Sequence, residues 1–150
     1  MENCIFCKIA SGESPCHKIW EDEKHLAFLS NRPNTEGFTI VITKHHYPSY
    51  IFDLPDEVIK DLIIATKKVA KLLDKKLDNV IRTGLIFEGF EVNHIHAKLS
   101  PIYGAKQKNW KPILSKVDKY FSKYEGYISS HDYKLENDEK LAELAKKIRE

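Results

Sequence analysis

No stretch of this 150-residue chain approaches the roughly 18 consecutive apolar residues that a membrane-spanning helix needs, which excludes a helical membrane span. The amino-terminal run Met1-Glu2-Asn3-Cys4-Ile5-Phe6-Cys7-Lys8 also lacks a basic segment followed by an apolar one, the pattern of a secretory leader, so a cytoplasmic location is expected. Cysteine is scarce. Its three residues, Cys4, Cys7 and Cys16, are an odd number that does not suit a disulfide framework. Net charge is nearly absent too: 24 Lys and Arg against 22 Asp and Glu leave a formal +2, too little for non-specific attraction to nucleic acid. Neither a nucleic-acid partner nor a membrane partner is expected, and any anion site must be local. Repeats and low-complexity tracts are missing as well. What remains, 42% hydrophobic and 31% charged, suits one globular domain with one core.

The hydrophobic pattern predicts a short helical turn over residues 4–10, then a loop marked by Gly12 and Pro15. Two short strands, His17 to Trp20 and His25 to Ser30, flank the acidic turn Glu21-Asp22-Glu23. A β-branched strand runs from Phe38 to Thr43 and ends at Lys44-His45-His46. Pro55, followed by Asp56 and Glu57, opens a long helix, and Val58, Leu62, Ala65, Val69, Leu72 and Leu73 give it one apolar stripe through about Leu77 to cover a sheet. Val80–Glu88 and Val92–Ser100 read as a strand pair around Gly89, ended by Pro101. Beyond it, Trp110–Phe121 reads as helical, Tyr124–Ser129 as extended, and Asn137–Arg149 as a terminal helix with Leu141, Leu144, Ala145 and Ile148 on one side.

The run His94-Ile95-His96-Ala97-Lys98-Leu99 carries the most chemistry. Successive strand side chains point to opposite faces, so His94, His96 and Lys98 form a polar row while Ile95, Ala97 and Leu99 face the core. Such a row costs desolvation unless it binds a metal, an anion or a reacting group. An imidazole is largely neutral at pH 7 and can attack phosphorus without a separate base, which makes His96 the candidate nucleophile of a two-step displacement.

Cys4-x-x-Cys7 lies at the amino terminus with no strand before it, unlike a redox pair in a βαβ unit, and reads as half of a metal site. Two histidines complete a tetrahedral zinc set. The candidates are His94 and either His45 or His46. His17, His25 and His131 read as surface or capping residues.

The chain resembles the histidine triad (HIT) superfamily of nucleotide hydrolases and transferases. Four segments carry the resemblance, in family order: Cys4-Ile5-Phe6-Cys7-Lys8-Ile9, His25-Leu26-Ala27-Phe28-Leu29, Gly37 through His46, and His94 through Leu99. The resemblance implies an α+β fold with an antiparallel sheet, one long covering helix and a carboxy-terminal helical extension. It divides the chain into a HIT domain over 1–110 and an extension over 111–150 packed on the same domain. It implies zinc on Cys4, Cys7, His46 and His94, a homodimer, and a nucleotide substrate attacked at its α-phosphorus by His96 to give a nucleotidyl-histidine. Ile5, Phe6, Phe28, Leu29, Ser30 and Gly89 match the family's substrate-binding positions.

The sequence departs from the family pattern at four places. Lys98 stands where the third histidine would be, Ser30 where an aspartate holds the ribose, Phe90 where a glutamine is common, and Glu91 where a serine or threonine lies beside the leaving group. A lysine ammonium can neutralise a phosphate oxygen and donate protons, so Lys98 and Glu91 join His96 in the expected catalytic set. The leading reading is a hydrolase of nucleoside phosphoramidates or dinucleoside polyphosphates. Its alternative is a catalytically weakened, zinc-stabilised nucleotide-binding or scaffolding module.

Overall fold

The computed structural model describes residues 3–105, 109 and 111–149, in two compact units, Met1–Trp110 and Lys111–Glu150. In the first unit, α1 (Ile5–Ser11) is followed by β1 (His17–Glu21), β2 (His25–Leu29), β3 (Thr39–Thr43), α2 (Asp56–Lys76), β4 (Val80–Ile86) and β5 (His96–Tyr103). The strands form one antiparallel sheet in the order β1-β2-β3-β5-β4, which places β5 between β3 and β4. The fold is α+β, with one antiparallel sheet and one long helix.

Register explains why each sheet face has its own cover. Ala27 pairs with Val41 and Val41 with Ala97, so these three share a face, which α2 covers with Leu62, Val69 and Leu73. Of the expected stripe, Leu62, Ala65, Val69 and Leu73 are buried, and Val58 and Leu72 are half-buried. Thr66, also buried there, donates its hydroxyl to the Leu62 carbonyl at 2.7 Å and leaves no polar group unpaired. On the opposite face Leu26 pairs with Ile42, Phe28 with Ile40, Ile42 with His96 and Ile40 with Lys98. Phe6, Ile9 and Ala10 of α1 pack over its apolar part. The histidine row thus lies under α1, away from α2.

The structure corrects three expected boundaries. The strand expected at Val92 begins at His96, because residues 91–94 turn: Glu91 has φ 78°, and the N–H groups of Val92 and His94 bond back to the carbonyls of Phe90 and Val92. Pro101 does not end the strand. Pairing with β3 stops at Leu99, so beyond it β5 is an edge on that side, the setting in which a strand tolerates proline. Val80's strand stops at Ile86 rather than Glu88.

In the second unit, α3 (Asp138–Arg149) is helical as expected, with Leu141, Leu144 and Ile148 exposed. Residues 111–137 contain neither the expected helix nor the expected strand; Trp110, where that helix was to start, lies outside the described residues. Ile113, Leu114 and Val117 have helical spacing but are exposed. A segment this short needs burial of an apolar face to hold a helix, and Pro112 removes one backbone donor besides. His25, expected at the surface, is buried at the start of β2, where its N–H and its ring Nδ1 lie 2.7 and 3.0 Å from Asp22 Oδ1.

Candidate functional site

Three chain segments meet at the amino-terminal end of β5. Cys4 is the residue before α1 and Cys7 lies in its first turn, His46 follows β3, and His94 precedes β5. Their ligand atoms all lie within 4.8 Å of one another. Cys4 Sγ is 3.4 Å from His94 Nδ1, and Cys7 Sγ is 3.3 Å from His46 Nδ1 and 3.5 Å from His94 Nδ1. A zinc ion bound at about 2.3 Å to sulfur and about 2.0 Å to nitrogen in a tetrahedron sets sulfur and nitrogen about 3.5 Å apart, so the donor set fits such an ion. His45 is not part of the group; its ring packs against Tyr47 at 4.8 Å.

A buried partner sets the tautomer of His94. Its Nε2 lies 2.8 Å from the Thr43 carbonyl oxygen, which only accepts, so Nε2 carries the proton and the Nδ1 lone pair faces the thiols. Burial lowers the pKa of His94 to about 4, which keeps the ring neutral as a metal ligand must be. Burial, with Cys4 close by, raises the Cys7 thiol in the absence of a cation.

His96, two residues on, repeats the device with its nitrogens exchanged. Its Nδ1 lies 2.7 Å from the His94 carbonyl oxygen, so Nδ1 is the donor and Nε2 is left with its lone pair. The ring is buried, and Phe6 stands edge-on to it at 5.2 Å between centroids. Burial, reinforced by the Lys98 charge, lowers the pKa of His96 and favours the neutral nucleophilic form; the His94 carbonyl, Glu91 and Glu88 oppose the shift.

The remaining expected residues are placed unevenly. Phe28 is buried on the His96 face and touches Phe6 at 5.8 Å, while Ile5 is exposed on α1. Strand alternation turns Leu29 to the other face. Ser30 closes the β2–β3 turn, its N–H bonded to the Phe38 carbonyl and its hydroxyl accepting from the Arg32 N–H. Gly89, at φ 74°, lies so near Ser49 that a Cβ would sit 3.2 Å from the Ser49 carbonyl oxygen. Any side chain there is disfavoured twice, by conformation and by space.

Three polar side chains at this end of the site, Glu88, Ser49 and Asn93, escaped the sequence reading. Lys98 Nζ is 2.6 Å from Glu88 Oε2 and 3.8 Å from Glu91 Oε2, and the Lys98 and Glu88 side chains are only 17% and 7% exposed. Ser49 donates its hydroxyl to the Gly89 carbonyl at 2.7 Å and its N–H to Asn93 Oδ1 at 3.1 Å, tying the segment after β3 to the turn before β5. Strand periodicity gives none of these a partner, because the contacts run between separate chain segments. The polar row on β5 was the signal that a counter-charge must be near.

The HIT domain family model matches residues 11–101. An uncharacterized HIT-like protein of Methanocaldococcus jannaschii is 39% identical over 104 residues, 67% of this chain and 79% of the relative. The adenosine 5'-monophosphoramidase of Schizosaccharomyces pombe is 38% identical over 100 residues, 66% of this chain and 74% of that protein. A zinc-bound histidine triad family protein from Mycobacterium smegmatis shares the fold with a TM-score of 0.63 and 27% identity, covering 77% of this chain and 86% of its own. With the family model spanning most of the sheet and the Cys/His cluster beside the buried His96, the chain belongs to the HIT domain family.

Proposed function

We propose that this protein is a zinc-containing nucleotide hydrolase or nucleotidyl transferase that cleaves the bond to the α-phosphorus of a nucleoside phosphoramidate or dinucleoside polyphosphate. The observation that carries this reading is the 2.7 Å contact from His96 Nδ1 to the His94 carbonyl, which leaves Nε2 as the nucleophilic nitrogen. Nε2 forms the bond to phosphorus, the leaving group departs with its electron pair, and water then attacks the nucleotidyl-His96 to release a nucleoside monophosphate. Lys98 neutralises charge on the non-bridging oxygens, and Glu91 assists proton transfer to the leaving group. Phe6 and Phe28, packed against each other on the His96 face, are the side chains best placed to meet the nucleoside, with Ile5, Ser30 and Gly89 as further contacts; Leu29, on the other face of β2, leaves the expected set.

Cys4, Cys7, His46 and His94 would hold zinc, supplying a closed structural cation rather than a reacting centre. His94 would then serve twice, as ligand through Nδ1 and through its carbonyl as the acceptor that orients His96.

Mixing the protein with a nucleoside phosphoramidate and quenching within a turnover should give, by intact-protein mass spectrometry, a species heavier by one nucleotidyl group. Absence of that species across several nucleotides would overturn the hydrolase reading in favour of the nucleotide-binding module. Lys98→Met is expected to slow adduct formation about 30-fold to 900-fold, the equivalent of about 2 to 4 kcal/mol for one electrostatic contact. An unchanged single-turnover rate in that variant would remove Lys98 from the mechanism.

The same reading includes a homodimer. Edge strand β4 exposes Ile81 and Leu85, and α2 exposes Ile63 and Ile64, apolar surface that a second copy would cover. Light scattering at micromolar concentration should return twice the chain mass, and a monomer mass would refute the dimer.

A further inference from the structure

The ion pair on the histidine row is costly to keep. Lys98 and Glu88 are both largely withdrawn from water, and desolvating two charges is repaid only when the geometry is good, whereas an apolar pair would join the strand ends at lower cost. The pair also has a fixed origin in the sheet. Lys98 pairs with Ile86 across the β4–β5 ladder, and Glu88 follows Ile86 by two residues, so its carboxylate arrives beside the ammonium from the neighbouring chain segment. Lys98 follows His96 by two residues on the same face of β5. Among the described residues, Glu91 Oε2, at 3.8 Å, brings a second carboxylate to the same ammonium.

We infer that Glu88 is a positioning residue of this site: it anchors the Lys98 ammonium beside His96, where that ammonium serves as the proton donor to an amine leaving group. The inference rests on the hydrolase reading above and deepens it. When His96 Nε2 bonds to phosphorus, the phosphorus–nitrogen bond of a phosphoramidate breaks with its electron pair on the amine nitrogen. That nitrogen takes a proton from Lys98, whose ammonium also faces the phosphate oxygens, and Glu91, 3.8 Å from the same ammonium, assists the transfer. In the second half, water attacks phosphorus, the bond to Nε2 breaks with its pair returning to the imidazole, and the water proton restores the ammonium. A polyphosphate departs as an anion, gains little from that proton, and brings further negative charge to an end of the site that already holds two carboxylates. Glu88 therefore favours amine over polyphosphate leaving groups.

The test compares the full chain, zinc-loaded, with Glu88→Gln and Glu88→Asp in single-turnover and steady-state assays on adenosine 5'-phosphoramidate and diadenosine tetraphosphate. Glu88→Gln should lower kcat on the phosphoramidate about 10-fold to 100-fold, the scale of a misplaced acid, with KM within about twofold. The rate on the tetraphosphate should fall less than about threefold or rise, and Glu88→Asp should recover part of the phosphoramidate rate. Equal slowing on both substrates together with a lower melting temperature would reduce Glu88 to a structural role and overturn the inference, as would no slowing on either. A wild-type protein that forms no adduct with either substrate would overturn the hydrolase reading and this inference with it. Adduct formation left intact by Glu88→Gln would overturn this inference alone.

Discussion

His96→Asn abolishes nucleotidyl-adduct formation, reducing single-turnover hydrolysis of a nucleoside phosphoramidate by about 10⁴-fold or more, the scale seen when a catalytic nucleophile is removed. The expectation follows from one atom. Nε2 is the ring nitrogen left with a lone pair once Nδ1 is committed to the His94 carbonyl at 2.7 Å, and asparagine offers no nucleophile in its place. The variant should still bind zinc and nucleotide, because the cluster donors and the Phe6–Phe28 contact lie on other side chains. Mass spectrometry measures the adduct and calorimetry the retained binding. An adduct on His96→Asn of wild-type yield would place the nucleophile elsewhere and dismantle the mechanism.

Stripping zinc lowers the melting temperature by roughly 8 to 16 °C. Free metal at about a thousand times its dissociation constant stabilises a folded site by about 4 kcal/mol, and a domain of this size shifts by about 2 to 4 °C for each kcal/mol. The ligands explain why the effect should be global: Cys4 precedes α1 and Cys7 lies in its first turn, His46 belongs to the segment after β3 and His94 to the segment before β5. Without a cation, Cys7 and Cys4 are two thiols at a partly buried site, and α1 is held to the sheet by the packing of Phe6, Ile9 and Ala10 without a metal tie. Cys4→Ser should reproduce most of the loss, while Cys16→Ser, at a residue outside the cluster, should cost far less. Calorimetry with and without a chelator, paired with elemental analysis, measures both. Reduced, chelator-free protein with no zinc and a melting temperature indifferent to added zinc would refute the site.

Much of the geometry was legible in the chain because it depends on period. Alternation along His94–Leu99 placed His96 and Lys98 on one face and Ala97 and Leu99 on the other, and the register with β3 gives that division. The three- and four-residue spacing on α2 likewise named Val58, Leu62, Ala65, Val69, Leu72 and Leu73, of which Leu62, Ala65, Val69 and Leu73 are buried and Val58 and Leu72 half-buried. Failures came where a local pattern had no local reason to hold. The helical spacing of Ile113, Leu114 and Val117 produced no helix because nothing buries those side chains, and Val92 did not start a strand because Glu91, in a left-handed conformation, turns the chain first.

The order of the motifs, the thiol pair, the two sheet faces and the choice of His96 as the candidate nucleophile come from the sequence, since each rests on residue type and spacing along one segment. The ring tautomers do not: they are set by the carbonyl oxygens of Thr43 and His94, and which acceptor a ring nitrogen meets depends on how the backbone turns into β5. The choice of His46 over His45 was open on residue type alone, and geometry places His46 Nδ1 at 3.3 Å from Cys7 while His45 packs on Tyr47. Glu88 was silent for the same reason. Its partner lies ten residues away on the adjacent strand, and only hydrogen-bonded pairing of β4 with β5 brings the two charges within 2.6 Å. Period along a segment is written in the chain, whereas contacts across segments follow from strand register, which packing of the whole sheet decides.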